Sequence, residues 1–108
     1  MQDVVKTLID RAADRLGSKA ELGRQLGVAR ARVSDWHSGV KPCKPDDLAA
    51  IAFFAGYNAM NVLAAATIAE NEGTPVGEIL KAQFGSQVPP LAAYLSANHS
   101  QKIRCVLC

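Results

Sequence analysis

Six cations crowd the stretch between residues 19 and 44, namely Lys19, Arg24, Arg30, Arg32, Lys41 and Lys44, against only Glu21 and Asp35, a local net charge of +4. Cations at that density attract polyanions, because their fields add. Among them Arg30, Ser34, Asp35 and Ser38 carry the donor and acceptor groups that can read base edges, and an arginine can grip guanine bidentately. From Pro45 onward the balance reverses: three cations face five acids, a net of −2. Catalysis has less to work with. The two histidines, His37 and His99, sit in unrelated contexts, and no Ser/His/Asp set, phosphate-cradling glycine loop or metalloprotease motif occurs. The adjacent Asp46 and Asp47 suit the positive end of a helix rather than acid/base work. Three cysteines, Cys43, Cys105 and Cys108, cannot all pair within one chain, and reduced thiols are expected. The closing Cys105-Val106-Leu107-Cys108 has C-x-x-C spacing and also fits a prenylation pattern, although Cys is an unusual last residue there. Only Cys43 and His99 could complete a four-ligand zinc set. The expectation is no enzyme, no metal and no cofactor.

These side chains need helices to hold them. Val4, Val5, Leu8, Ile9, Ala12, Ala13 and Leu16 recur at helical spacing, with Asp3 as a candidate cap and Gly17 as the stop. Arg11 and Arg15 then fall on the outer face of this helix. Ser18-Lys19-Ala20-Glu21 is a capping box that opens a second helix to Leu26, ended by Gly27. A third helix follows over 30–38 and ends at Gly39. After a loop broken by Pro42, Pro45 starts a fourth, with Leu48, Ile51, Ala52 and Ala55 inward and Gly56 as its end. Asn58 caps a fifth helix running to about Glu72. Thr74-Pro75 starts a sixth, which carries Ile79, Leu80 and Phe84 to Gly85. Leu91 to Leu95 gives a weak signal for one more short helix. No repeat or strand pattern is visible, so the chain reads as all-α.

Composition agrees with this reading. The 108 residues are 49% hydrophobic and 20% charged, a globular balance that fits one small domain with an appendage and excludes a multidomain enzyme. No apolar run approaches the roughly 20 residues that span a bilayer, and Met1-Gln2-Asp3 lacks the basic start of an export signal. No membrane association and a cytoplasmic location are expected.

Two short helices joined by about three residues must cross steeply. Gly23 then answers the need for a tiny residue where the second passes over the first, and Gly27 the need for a turn residue tolerant of positive φ. Leu22, Leu26, Val28, Val33 and Trp36 lock the pair to a core. This set is the signature of a helix-turn-helix. Ala20-Glu21-Leu22-Gly23-Arg24-Gln25-Leu26-Gly27-Val28, followed by Val33-Ser34-Asp35-Trp36-His37-Ser38-Gly39, resembles the core pattern of the lambda-repressor-like (Cro/CI-type) DNA-binding family over roughly residues 3–63. The Gly73-Thr74-Pro75 segment and the hydrophobic C-terminal end are similar, less specifically, to small repressor-like proteins of filamentous phages and prophages. One departure is Ala29, which opens the third helix where the family usually has a capping Ser or Thr.

The resemblance implies a five- to six-helix fold with a short C-terminal extension, and a third helix that enters the major groove. On helical geometry Ala29, Val33 and Trp36 then face the core. Arg30, Ala31, Ser34, Asp35 and Ser38 face bases, with Arg30 on guanine, Ala31 near a thymine methyl, and Asp35 either accepting from cytosine or orienting Arg32. Lys19, Arg24, Arg32, His37, Lys41 and Lys44 are the candidate phosphate contacts, joined by the backbone amides of Ser18 to Ala20.

One such module buries little surface, and most pair to read two half-sites. The fifth helix is rich in small and apolar residues all round, the sixth with Val76, Ile79, Leu80 and Phe84 can pack in the same place, and Met60, Val62, Leu63, Ile68, Ile79, Leu80 and Phe84 are the candidate dimerisation residues. The expected organisation is a DNA-binding core at 1–57, dimerising helices at 58–85, and a tail at 86–108 whose order is left open. The expected function is a sequence-specific regulator of (pro)phage repressor type, a homodimer on an inverted-repeat operator in double-stranded DNA, with a protein anti-repressor as a further possible partner. The alternatives are an antitoxin that binds DNA and a partner toxin, or a protein-interaction adaptor.

Overall fold

Apolar residues three and four apart along each amphipathic segment set the faces that pack, and glycines set where segments stop. A computed structural model describes residues 2–95. They form α1 (Gln2–Leu16), α2 (Lys19–Leu26), α3 (Arg30–Ser38), α4 (Pro45–Ala55), α5 (Ala59–Glu70), α6 (Pro75–Phe84) and a 3₁₀ segment, Leu91–Leu95. Among the described residues the fold is all-α. None of its helices is long and apolar enough to cross a membrane.

α1 is the central element, packed against α2, α3, α4 and the 3₁₀ segment. Its buried residues are Val4, Val5, Leu8, Ile9 and Ala12, while Asp3, expected as the cap, lies within the first turn. One core joins these residues to Leu22, Val33, Trp36, Leu48, Ile51, Ala52, Ala55, Tyr57, Val62, Ala66 and Tyr94. α5 adds Val62 and Ala66 to this core by packing on α4. Val62, expected at a dimer interface, is corrected by this result. It is 0% exposed, sealed inside its own chain, and cannot meet a partner.

α5 stops at Glu70 rather than near Glu72. The Thr67 carbonyl accepts from both the Asn71 backbone N–H at 3.2 Å and the Asn71 side-chain amide at 2.8 Å, and the next amide, of Glu72, bonds only three residues back to the Ala69 carbonyl at 3.3 Å, so the α-helical ladder ends there. The corner into α6 is tight. A Cβ at Gly77 would lie 2.0 Å from the Asn71 carbonyl oxygen, so only glycine lets α6 approach α5 this closely. The Thr74 hydroxyl accepts from the Gly77 amide at 3.0 Å and caps the new helix.

The short helix signalled at Leu91–Leu95 is present as a 3₁₀ turn, and Tyr94 is 1% exposed within the core. Its ring meets Tyr57 edge-on, at 4.9 Å between centroids and 89° between planes. Arg11, expected to decorate the outer face of α1, instead reaches across this pair. It donates to the Tyr57 hydroxyl and, at 2.9 Å, to the Tyr94 carbonyl, with its guanidinium 5.7 Å from the Tyr57 ring centre. Residues 96–108, with Cys105 and Cys108, lie outside the described residues.

Candidate nucleic-acid interface

The α2–α3 unit is built from its backbone outward. The Ser18 hydroxyl accepts from the Glu21 amide at 3.0 Å, which starts α2. The expected reciprocal bond is replaced: the Glu21 carboxylate is held by Arg24 at 2.6 Å and Gln25 at 2.9 Å, and the Arg24 and Gln25 bonds keep its pKa below the usual value. Gly27 turns the chain at φ 73°, and the Val28 amide returns to the Gly23 carbonyl at 2.9 Å. A Cβ at Gly23 would stand 3.0 Å from the Val28 carbonyl oxygen, 3.5 Å from Val33 and 3.6 Å from the Arg30 backbone. The close crossing inferred for Gly23 is therefore real.

α3 spans Arg30–Ser38 and buries Val33 and Trp36. Ala29 is exposed rather than inward, because it is the extended residue before the helix, with φ −68° and ψ 148°, and makes no side-chain cap. Arg30, Ala31, Arg32, Ser34 and Ser38 are exposed, and Asp35 is half-buried. The Ser38 hydroxyl donates back to the Asp35 carbonyl at 3.3 Å, and the Asp35 carboxylate lies 3.9 Å from Lys41 rather than against Arg32.

Two residues of α1 hold the far end of α3, and sequence reading gave no role to either. The Gln2 side-chain amide donates to the Trp36 and His37 carbonyls, each at 3.0 Å, and so satisfies the last turn of the helix. Asp10 meets the His37 ring at 2.8 Å. His37, expected at a phosphate, is turned to α1, with only 20% of its side chain exposed. No local pattern could have announced these partners, which are 34, 35 and 27 residues apart.

The remaining cations ring this face unevenly. Among the described residues Lys19, Arg30, Arg32 and Lys44 have no ion pair within 4 Å, whereas Arg24 and Lys41 do. Beside α3 a hollow of about 420 Å³ is lined by Arg32, Trp36, Lys41, Lys44, Asp46 and Asp47. The Asp47 carboxyl is pushed up by burial first and by Asp46 second, against the opposing pull of Arg32 and Lys44. The Cys43 thiol is buried and is raised to about 12, chiefly by desolvation and then by Asp47 and Asp46. No group of three potential metal ligands occurs among the described residues.

A second face is formed by α5 and α6, which make no contact with α2 or α3. Met60 is 71% exposed, Ile79 62%, Val76 56% and Phe84 43%. Leu63, Ile68 and Leu80 are half-buried beside them. Between α5 and α6 runs a groove of about 370 Å³, lined by Met60, Leu63, Ile68, Leu80, Phe84 and Val88 among others. Six of the seven expected dimerisation residues thus gather here, and Val62 does not.

No protein-family model, curated protein or solved structure matches this chain.

Proposed function

We propose that α2 and α3 are the helix-turn-helix of a sequence-specific double-stranded DNA-binding regulator that acts as a homodimer on an inverted repeat. The observation that carries this reading is the division of α3 into two faces. Val33 and Trp36 are locked in the core, while Arg30, Ala31, Arg32 and Ser34 stand exposed on a helix whose last turn is held by Gln2 and Asp10. Arg30 in the first turn is the guanine-reading candidate, Ala31 and Ser34 line the same outer face, and Lys19, Arg32 and Lys44 supply phosphate contacts. Arg24 and Lys41 reach phosphate only by exchanging Glu21 and Asp35 for it. Repression of a phage or prophage operator is the role the sequence resemblance favours, and nothing in this reading calls for catalysis. A toxin or other protein partner is the second reading, favoured by the exposed apolar α5–α6 face.

Selection from random duplexes at physiological salt should enrich an inverted repeat. Against that site Arg30→Ala should cost about 1–3 kcal/mol and relax preference at one base pair. Selection that enriches no sequence overturns the DNA reading. Unchanged affinity for Arg30→Ala overturns the assignment of the base-reading residue.

A further inference from the structure

The hollow beside α3 holds charges of both signs that do not meet. Arg32, Lys41 and Lys44 line it together with Asp46 and Asp47, and Trp36 forms part of its wall. Lys41 already lies 3.9 Å from Asp35. Among the described residues, however, no ion pair within 4 Å joins Arg32 or Lys44 to either hollow-lining aspartate. Both cations are still near enough to pull the Asp47 carboxyl down, against the larger upward effects of burial and of Asp46. Opposite charges that feel one another across a concavity without touching leave room for a molecule that carries both signs.

Trp36 gives an independent observation. Its side chain is 3% exposed, and its indole N–H donates to no group among the described residues. No buried side-chain nitrogen or oxygen lacks a partner among those residues, so this N–H is not sealed in the core and opens to solvent at the hollow the ring lines. A tryptophan packed this deeply usually satisfies its N–H, and the group can only donate. An acceptor is the missing partner.

We propose that the hollow binds a small zwitterion of the free α-amino acid class, its carboxylate taken by Arg32, Lys44 and the Trp36 N–H and its ammonium by Asp46 and Asp47. A simple anion would face the two aspartates, and a simple cation would face the basic residues; a zwitterion satisfies both sets. The planar guanidinium of Arg32 matches a carboxylate with two parallel donors. At about 420 Å³ the hollow lies at the small end of ligand pockets, which suits one amino acid better than a nucleotide or a peptide. Arg32 and Lys44 are also the phosphate candidates of the DNA-binding reading, so ligand and DNA backbone would compete for them. The binding itself needs no DNA.

Trp36 is the only tryptophan, so its fluorescence reports the hollow directly. Non-aromatic α-amino acids are titrated one at a time into the full chain, without DNA and at constant ionic strength. At least one should shift the emission saturably at or below millimolar concentration. Its N-acetyl derivative, which lacks the ammonium, and its amide, which lacks the carboxylate, should not. Arg32→Gln and Asp46→Asn, both at exposed positions, should each raise the dissociation constant about tenfold or more, the effect of losing one hydrogen bond to a charged group. Lys19→Gln, outside the hollow, should leave it unchanged, and circular dichroism should show the same helicity in all three variants. A chain that responds saturably to no amino acid overturns the proposal. So does binding that survives N-acetylation or amidation, or that is indifferent to both Arg32→Gln and Asp46→Asn. Failure to bind DNA leaves all these outcomes as they are.

Discussion

Arg11 holds the end of the described chain against its beginning, and removing its guanidinium gives a sharp test of that role. Arg11→Met keeps much of the apolar stem. It deletes the donations to the Tyr57 hydroxyl and to the Tyr94 carbonyl at 2.9 Å, and the cation–π contact at 5.7 Å. A hydrogen bond to a charged group contributes about 1.5–3 kcal/mol, and a partly exposed cation–π contact about 0.5–1 kcal/mol. One group makes all three contacts, so they do not add, and its half-exposed position screens it. A net loss of about 2 kcal/mol remains. For a domain near this size that corresponds to a drop of about 8–16 °C in Tm. Thermal unfolding by circular dichroism gives the total. Amide exchange at Ala93, whose N–H bonds to the Pro90 carbonyl at 3.0 Å, reports whether the 3₁₀ segment loosens first. Lys6→Met on the exposed side of α1 is the control and should move stability by less than about 0.5 kcal/mol. If Arg11→Met melts with that control, the clasp contributes nothing and the segment is held by Tyr94 burial alone.

Other outcomes follow from the same geometry. At Gly23 the gain of about 1 kcal/mol in helix propensity on going to alanine is opposed by the 3.0 Å approach to the Val28 carbonyl, so Gly23→Ala should be near neutral in chemical denaturation and Gly23→Val clearly destabilising. An alanine variant stabilised by the full propensity difference would show that the crossing is not tight. Cys43, raised to about 12 in the folded chain, keeps its proton while the unfolded thiol loses it, so its contribution is complete below the ordinary thiol range and is lost as pH rises toward the folded value. Urea midpoints on either side of that range should fall with pH, and should fall less for Cys43→Ala; equal slopes would refute the account. On the DNA-binding reading, Lys44→Gln should reduce the dependence of log affinity on log salt by about one, whereas His37→Ala should weaken binding with that slope intact. A slope reduced by His37→Ala would return the ring to a phosphate.

What was legible in the sequence divides by the range of the interaction. The span of α3, the cap at Ser18, the turn at Gly27 and the crossing at Gly23 depend on neighbours within a few residues, so residue type and spacing carry them. Gln2, Asp10 and Arg11 act on partners across the chain, and each looks locally like any polar residue on the outside of a helix. Tyr94 was illegible for the same reason: a tyrosine after two prolines gains meaning only when Tyr57 and Arg11 fold against it. Val62 failed differently. Apolar residues ring α5 almost evenly, so periodicity could not separate the side that meets α4 from the side that meets solvent. Exposure within the fold makes that separation, sending Val62 inward and Met60 outward.

The same reasoning changes what the basic segment is worth. Along the chain residues 19–44 carry a net +4, a sum that already sets Glu21 and Asp35 against the cations, and in space these two acids lie beside Arg24 and Lys41. The excess is carried by Lys19, Arg30, Arg32 and Lys44, with Asp47 in the field of Arg32 and Lys44. On the DNA-binding reading, α3 would add short contacts of defined geometry to that field. Gln2 and Asp10 fix its C-terminal end through three hydrogen bonds, and the Gly27 turn aims its N-terminal end, where Ala29 offers no side chain to the first amides. Arg30 therefore projects from the end of α3 whose amides stay accessible, while the opposite end cannot swing. On the DNA-binding reading, a helix held in this way would gain specificity as contacts to base edges are added, while the surrounding cations carry the affinity. Two copies acting together would supply the affinity that a single one lacks.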